Sequence, residues 1–123
     1  MLGLEFSSGK LEYYTLEDVR TAAEIAAGSI PKMALVLEGW TYYGDRNMSF
    51  TRIYEALGAD QRFDRIVRVP EDSPIYSGMY VIINGQQFRV TMASMVVVKS
   101  SYRAVELTLV KLEDRYDLAT VQT

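Results

Sequence analysis

Apolar and polar residues follow two different periods along this 123-residue chain. In the first part, apolar residues recur every three or four positions, which is the spacing of one helix face: Leu16, Val19, Ala23 and Ala26. Thr15 is placed to cap the N-terminus, with Asp18 three residues later to complete a capping box. Gly28 and then Pro31 are typical of a C-terminal stop. The pattern predicts one helix over residues 15–28.

From Met33 onward the period changes to two, which predicts a strand that ends at Gly44 and Asp45. Residues 48–57 fit either a strand face or a helical stripe, and their Phe, Thr, Ile and Tyr content favours a strand. A turn is expected at residues 58–61. A further strand over residues 62–69 is expected to stop at Pro70, followed by a loop over residues 71–74.

The strongest local signal is Asn84-Gly85, which lies between the apolar segments 80–83 and 87–90. A type I′ turn needs positive φ at both central residues, and Asn and Gly adopt it most readily, so this segment predicts a β-hairpin. Strands are also expected over residues 95–98 and 105–109, with a turn at 99–101. Short strands with regularly spaced turns are typical of a small antiparallel barrel or sandwich.

We therefore predict one domain over residues 1–123 that is mainly β, a small antiparallel β-barrel or sandwich with an N-terminal α-helix. Residues 1–31 would be the helical segment, 32–118 the barrel and 119–123 a tail. A chain of this length and 49% hydrophobic content is typical of a single globular core.

The amino-acid composition excludes several kinds of catalytic and metal-binding site. The chain has no cysteine and no histidine, so thiolate metal sites, thiol nucleophiles and imidazole bases are excluded. Carboxylates remain for a hydrolase, at Asp60, Asp64, Glu71 and Asp72, but their spacing matches no calcium loop. Neither a phosphate-binding glycine loop nor a GxSxG motif occurs. We predict a protein that is not an enzyme and has no catalytic residue, metal or cofactor.

Charge and hydropathy bear on location and partners. Thirteen basic and 16 acidic residues give a net charge of −3, which disfavours tight binding of many phosphates. No basic leader precedes an apolar run, and the longest uncharged stretch is broken by proline and glycine. We expect a soluble protein made in the cytosol, without a signal peptide or membrane partner.

Two groups of residues are candidate contacts. Three arginines recur at every third position: Arg62, Arg65 and Arg68. This spacing suits a phosphate or acidic partner, but the charged protection of an edge strand is the favoured interpretation. An aromatic set near Arg46 and Arg52 suits a protein interface, base stacking or simply the barrel core. It consists of Trp40, Tyr42, Tyr43 and Tyr54, with Tyr13 and Tyr14 earlier and Asp45 beside it.

Four strings, taken in order, resemble the small head-completion proteins of tailed bacteriophages, also called head–tail connector, stopper, head-closure or minor capsid proteins. They are WTYYGDR at 40–46, DRIVRVP at 64–70, INGQQFRV at 83–90 and VELTLVKLED at 105–114. The likeness covers roughly residues 38–118 and is to phages and prophages of Gram-positive bacteria. The segment up to about Pro31 lies outside it.

The resemblance implies a β-barrel subunit of a homo-oligomeric ring in the virion neck, assembled in the host cytoplasm. Such a ring closes the DNA channel between a portal or adaptor protein and a tail-completion or tail-tube protein, and genomic DNA passes without specific binding. It offers Glu71, Asp72, Ser73, Ile75 and Tyr76 as a candidate channel loop, and the turn at 44–48 as a second candidate loop. The alternatives are an adaptor or tail-terminator protein of the same neck, or a monomeric barrel that binds single-stranded nucleic acid.

Overall fold

The computed structural model describes residues 6–45, 64–98 and 102–119. Within them the chain is mainly β. Seven strands and one short helix follow in the order β1 (Gly9–Asp18), α1 (Ala22–Ala26), β2 (Met33–Asp45), β3 (Arg65–Pro70), β4 (Tyr80–Ile83), β5 (Gln86–Val98), β6 (Tyr102–Lys111) and β7 (Asp117–Leu118).

All seven strands belong to one sheet with the order β1-β4-β5-β6-β3-β2-β7. In addition β1 pairs antiparallel with β2, from Gly9 opposite Tyr43 to Asp18 opposite Met33. The two ends of the β1-to-β2 order are therefore hydrogen-bonded to each other, and each strand from β1 to β6 has at least two strand neighbours. The short β7 pairs parallel with the start of β2, where Ala34 lies opposite Asp117. The region predicted as barrel, residues 32–118, thus ends in a strand.

The predicted helix starts too early. Thr15 lies in β1, opposite Val36, so residues 9–18 of the segment predicted as helical form a strand of the sheet. The helix has five residues, and its N-cap is Thr21, whose hydroxyl accepts a hydrogen bond from the backbone N–H of Glu24 while the Glu24 carboxylate accepts from the backbone N–H of Thr21. No residue of the helix is buried. It therefore connects β1 to β2 without forming part of the core.

The main apolar cluster is accompanied by a smaller, separate cluster of Tyr14, Leu35 and Tyr80. Members of the main cluster occupy alternate positions in β1, β3, β4, β5 and β6. The main cluster is formed by Leu11, Tyr13, Tyr43, Val67, Val69, Ile75, Met79, Val81, Ile83, Phe88, Val90, Val105, Leu107 and Leu109. Two polar residues, Gln87 and Thr108, are buried among the described residues. The side-chain amide of Gln87 donates to the carbonyl of Tyr116 and accepts from the N–H of the same residue. This pair of bonds fixes the chain that leads to β7.

The hairpin prediction is confirmed. Asn84 and Gly85 have φ of +50° and +80°, and Ile83 lies opposite Gln86. The strand expected at 95–98 is the end of a longer strand, because β5 runs for 13 residues from Gln86. A register shift between Val90 and Met92 keeps β5 paired with β6 along its length.

The strands predicted over Met33–Asp45 and up to Pro70 are also confirmed. Four predictions lie outside the described residues. These are the strand at 48–57, the turns at 58–61 and 99–101, and the part of β3 expected at 62–63. The candidate loop at 44–48 is described only up to Asp45.

Candidate functional site

Among the described residues, two exposed aromatic side chains lie next to each other on β2, where it pairs with β1. Lys10 lies opposite Tyr42 and Glu12 opposite Trp40, so the four side chains share the face away from the core. Trp40 is 53% exposed and Tyr42 50%. Their rings meet edge to face, with centroids 5.3 Å apart and planes at 89°. We call Lys10, Trp40 and Tyr42 the aromatic cluster.

The Lys10 ammonium group makes cation–π contacts with both rings of the cluster. The Lys10 Nζ lies 4.5 Å from the Trp40 ring centroid and 5.7 Å from that of Tyr42, both within the range of a cation–π contact. Such contacts restrict the rotamers of two large aromatic side chains before any partner arrives. Trp and Tyr are also the residues that most often dominate the energy of protein interfaces. The cluster therefore exposes two aromatic rings whose positions are already restricted.

An open groove of ≈ 350 Å³ lies beside the cluster, lined by Lys10, Glu12, Trp40, Ile82, Asn84 and Gly85. The β4–β5 turn thus lies next to the aromatic rings. Glu12 also acts on the buried residue Tyr14: burial and then the nearby Glu12 carboxylate, which accepts a hydrogen bond from Tyr14, raise the pKa of Tyr14 to about 12. The groove combines one acid, one base and an indole ring.

Tyr43, the next residue after Tyr42, does not belong to this surface. It is 2% exposed and lies in the main core. Its hydroxyl accepts a hydrogen bond from Arg65, whose guanidinium also bonds Asp45 at 2.8 Å. Tyr43, Asp45 and Arg65, all predicted interface residues, instead tie β2 to β3.

Of the remaining arginines predicted as contacts, only Arg68 lies in the described part of the chain. Arg68 makes an ion pair of 3.2 Å with Glu106 of β6, and both side chains are mostly buried. Arg46, Arg52 and Arg62 lie outside the described residues, as do Tyr54 and Asp60. The set of three evenly spaced arginines is therefore represented here by two residues, and both are in ion pairs within the sheet.

The predicted channel loop connects β3 to β4. Glu71 and Asp72 are exposed in its turn, and Tyr76 is 59% exposed, whereas Ile75 is 5% exposed and anchors the loop in the core. Ser73 donates its N–H to the carbonyl of Pro70. A second open groove of ≈ 450 Å³ lies where this loop approaches β1, lined by Tyr13, Thr15, Glu17, Glu38, Pro74, Tyr76 and Met79.

The acids considered for hydrolysis do not form one site among the described residues. Asp64 accepts a hydrogen bond of 2.8 Å from the N–H of Lys111, while Glu71 and Asp72 lie in the exposed turn after β3. In the described ranges no three Asp or Glu side chains are grouped so that they could hold a metal ion. None of the helices described there has the length and apolar content to cross a membrane.

Sequence reasoning identified Trp40 and Tyr42 but missed Lys10 and Glu12. Their place in the surface depends on the register between β1 and β2, which local patterns do not encode. A scan against protein-family models finds no match for this chain, and a search of curated proteins finds no relative.

Proposed function

We propose that this chain is a structural subunit of the neck of a tailed bacteriophage, a head-completion protein that forms a ring between a portal or adaptor protein and the tail. The aromatic cluster is the structural observation that supports the proposal. It places two half-exposed aromatic rings on a rigid strand pair, outside the core, where a neighbouring subunit can cover them. The ordered strings at 40–46, 64–70, 83–90 and 105–114 supply the resemblance that names the assembly.

In this proposal the sheet is a closed barrel. The pairing of β1 with both β2 and β4 supports closure, because it joins the ends of the six-strand order. Closure removes most strand edges and gives a stiff body. A ring of such bodies needs only modest contacts per subunit, since many repeated contacts add up.

The charge of the chain suits a channel through which DNA slides. A net charge of −3 supplies no excess of cations for tight phosphate contacts. In this proposal, apolar and aromatic surfaces make the contacts with the tail and portal partners. The aromatic cluster is the clearest such surface among the described residues. The subunit works by shape and contact, without a catalytic step.

Deletion of the gene from the phage or prophage tests the role. We expect particles that package DNA but lose it and fail to join tails, and wild-type protein supplied in trans should restore infectious particles. Particles that keep their DNA and join tails without this chain would refute the proposal.

Complementation with variants tests the surface. Trp40→Ala together with Tyr42→Ala should lower the yield of tailed particles at least tenfold while the protein remains folded. Ile30→Ala is the matched control, because Ile30 is an apolar side chain that is 84% exposed and lies outside the cluster. Equal yields from the two variants would remove the cluster from the interface.

One observation favours a second function, binding of single-stranded nucleic acid. Trp40 and Tyr42 are exposed beside Lys10, a combination that stacks on bases. The perpendicular rings and the adjacent Glu12 suit it less well than a protein contact. A salt titration against oligodeoxythymidine decides: no binding at low ionic strength eliminates this alternative, and salt-sensitive binding lost in Trp40→Ala would favour it.

A further inference from the structure

Among the residues that the structure describes, the second half of β5 has an open edge. β4 pairs with β5 only as far as Arg89, and the N–H of Gly78 and the carbonyl of Met79 add two bonds to Val90. The Ser77 hydroxyl then donates to the carbonyl of Thr91. From Met92 to Val98, β5 pairs with β6 on one side, and no strand among the described residues pairs with its other side. Within the described part of the chain, this edge offers unpaired backbone donors and acceptors.

The composition of this edge is unusual for an exposed strand. Residues 92–98 read MASMVVV, without a charge or a proline. Exposed edges in proteins are ordinarily protected by charged side chains or proline. The part of β1 that extends beyond β4 follows that rule, because it carries Glu17 and Asp18. The edge of β5 over residues 92–98 lacks this protection.

Packing on both faces already fixes the second half of β5 in an extended conformation. On one face, Val96 packs with Phe6, Ala104 and Tyr102. On the other face, Ala93 packs against the main core, while Met95 and Val97 are 54% and 65% exposed. A strand already extended and fixed on one side loses little entropy when a second strand adds to it.

We infer that two copies of this chain pair antiparallel along the open edge of β5, with Met95 at the two-fold axis. A copy of itself fits this edge because an antiparallel pair of identical uncharged strands brings no like charges together. In this register Ala93 faces Val97 of the second copy and Met95 faces Met95. The exposed apolar side chains then extend the main core cluster from one copy to the other.

This contact goes beyond the proposed ring and uses a different surface from the aromatic cluster. The two proposals therefore fail separately. The variant with Trp40→Ala and Tyr42→Ala keeps the β5 dimer, and loss of tail joining in that variant says nothing about the edge.

Disulfide formation tests the pairing most directly, since the chain has no cysteine of its own. Residues opposite each other in an antiparallel pair have Cα atoms about 4.5–5.5 Å apart, within the range of a disulfide. Met95→Cys should form a disulfide-linked dimer at micromolar protein under mild oxidation. Ile30→Cys, an exposed control, should stay mostly monomeric under the same conditions. Equal dimer yields in the two variants would overturn the inference.

A second measurement uses the unmodified edge. Sedimentation of the wild-type chain should show a monomer–dimer equilibrium, and Met95→Lys or Val97→Lys should shift it at least tenfold toward monomer with unchanged circular dichroism. Ile30→Lys makes the same charge change elsewhere and should leave the equilibrium as it is. A wild-type chain that is monomeric at 100-fold higher concentration than the oxidation experiment, or lysine variants that dimerise like wild type, would contradict the pairing.

Discussion

The two faces of β2 carry aromatic residues for different purposes. Tyr42 and Tyr43 are neighbours in sequence, yet Tyr42 is half exposed beside Trp40, and Tyr43 is buried under the hydrogen bond from Arg65. The inner-face Tyr43 bonds β3 through Arg65, and the outer face exposes the rings of Trp40 and Tyr42 to solvent. The strand period of two separates these roles, so an aromatic-rich segment cannot be interpreted as one surface.

The largest expected effect tests that separation through stability. Tyr43→Ala should lower the free energy of unfolding by about 3–5 kcal/mol, because it leaves a cavity and frees the Arg65 and Asp45 pair from the tyrosine. Tyr42→Ala should change it by less than about 0.5 kcal/mol, as for most surface positions. Urea denaturation measures both, and similar losses in the two variants would contradict the division of faces.

Gly39 tests how closely the two faces are coupled. A Cβ atom on Gly39 would lie 2.5 Å from the hydroxyl oxygen and 2.7 Å from Cζ of the buried Tyr13. We expect Gly39→Ala to cost about 1–3 kcal/mol, because the Tyr13 ring must move within a packed core. The same denaturation experiment measures it. Gly28→Ala is a poor control, because φ of Gly28 is +77° and alanine would be strained there. Ala26→Gly, at an exposed helix position, serves instead as the comparison for a small change far from the core.

The ion pair between Arg68 of β3 and Glu106 of β6 allows the same comparison of a buried with an exposed position for charged residues. Glu106→Gln should cost about 1–2 kcal/mol, because Arg68 and Glu106 are mostly shielded from solvent and the arginine loses its carboxylate. Glu71→Gln removes an acid from an exposed turn and should leave stability within about 0.5 kcal/mol. Thermal unfolding at pH 7 compares the two, and equal values would mean that the pair contributes nothing.

The smallest effect appears only in alkaline solution. The pKa of Tyr14 is raised to about 12 in the folded chain, first by burial and then by Glu12. A raised pKa of an acid stabilises the folded chain below the unfolded pKa of about 10, and this contribution is lost as pH rises from there to about 12. Tyr14→Phe should flatten the decline in stability over that window. Glu12→Gln should let Tyr14 ionise at lower pH, as followed by tyrosinate absorbance; an unshifted titration would contradict the role of Glu12.

Much of the sheet was predictable because its signals are local. The Asn84-Gly85 turn, the two-residue period of β2 and the end of β3 at Pro70 all depend on residues close in sequence. β1 was mistaken for the start of a helix because a register shift between Tyr13 and Tyr14 breaks its alternation. The true capping box, Thr21 with Glu24, was present in the sequence but followed an apolar stripe that began too early.

The candidate surface was predictable only in part. Exposed Trp40 and Tyr42 follow from alternation along one strand, but Lys10 and Glu12 join them through pairing between distant segments. The open edge of β5 depends on where β4 stops relative to its neighbours, which is a property of the assembled sheet. Long-range register decides both, and a single sequence does not reveal it.

Electron microscopy of intact virions from the phage or prophage that encodes this chain tests the central claim most directly. The account predicts a ring of copies at the junction of head and tail, with Trp40 and Tyr42 covered by a neighbouring subunit or by the adjoining neck protein. Particles whose neck contains no copy of this chain, or a ring in which both side chains face open solvent, would contradict it.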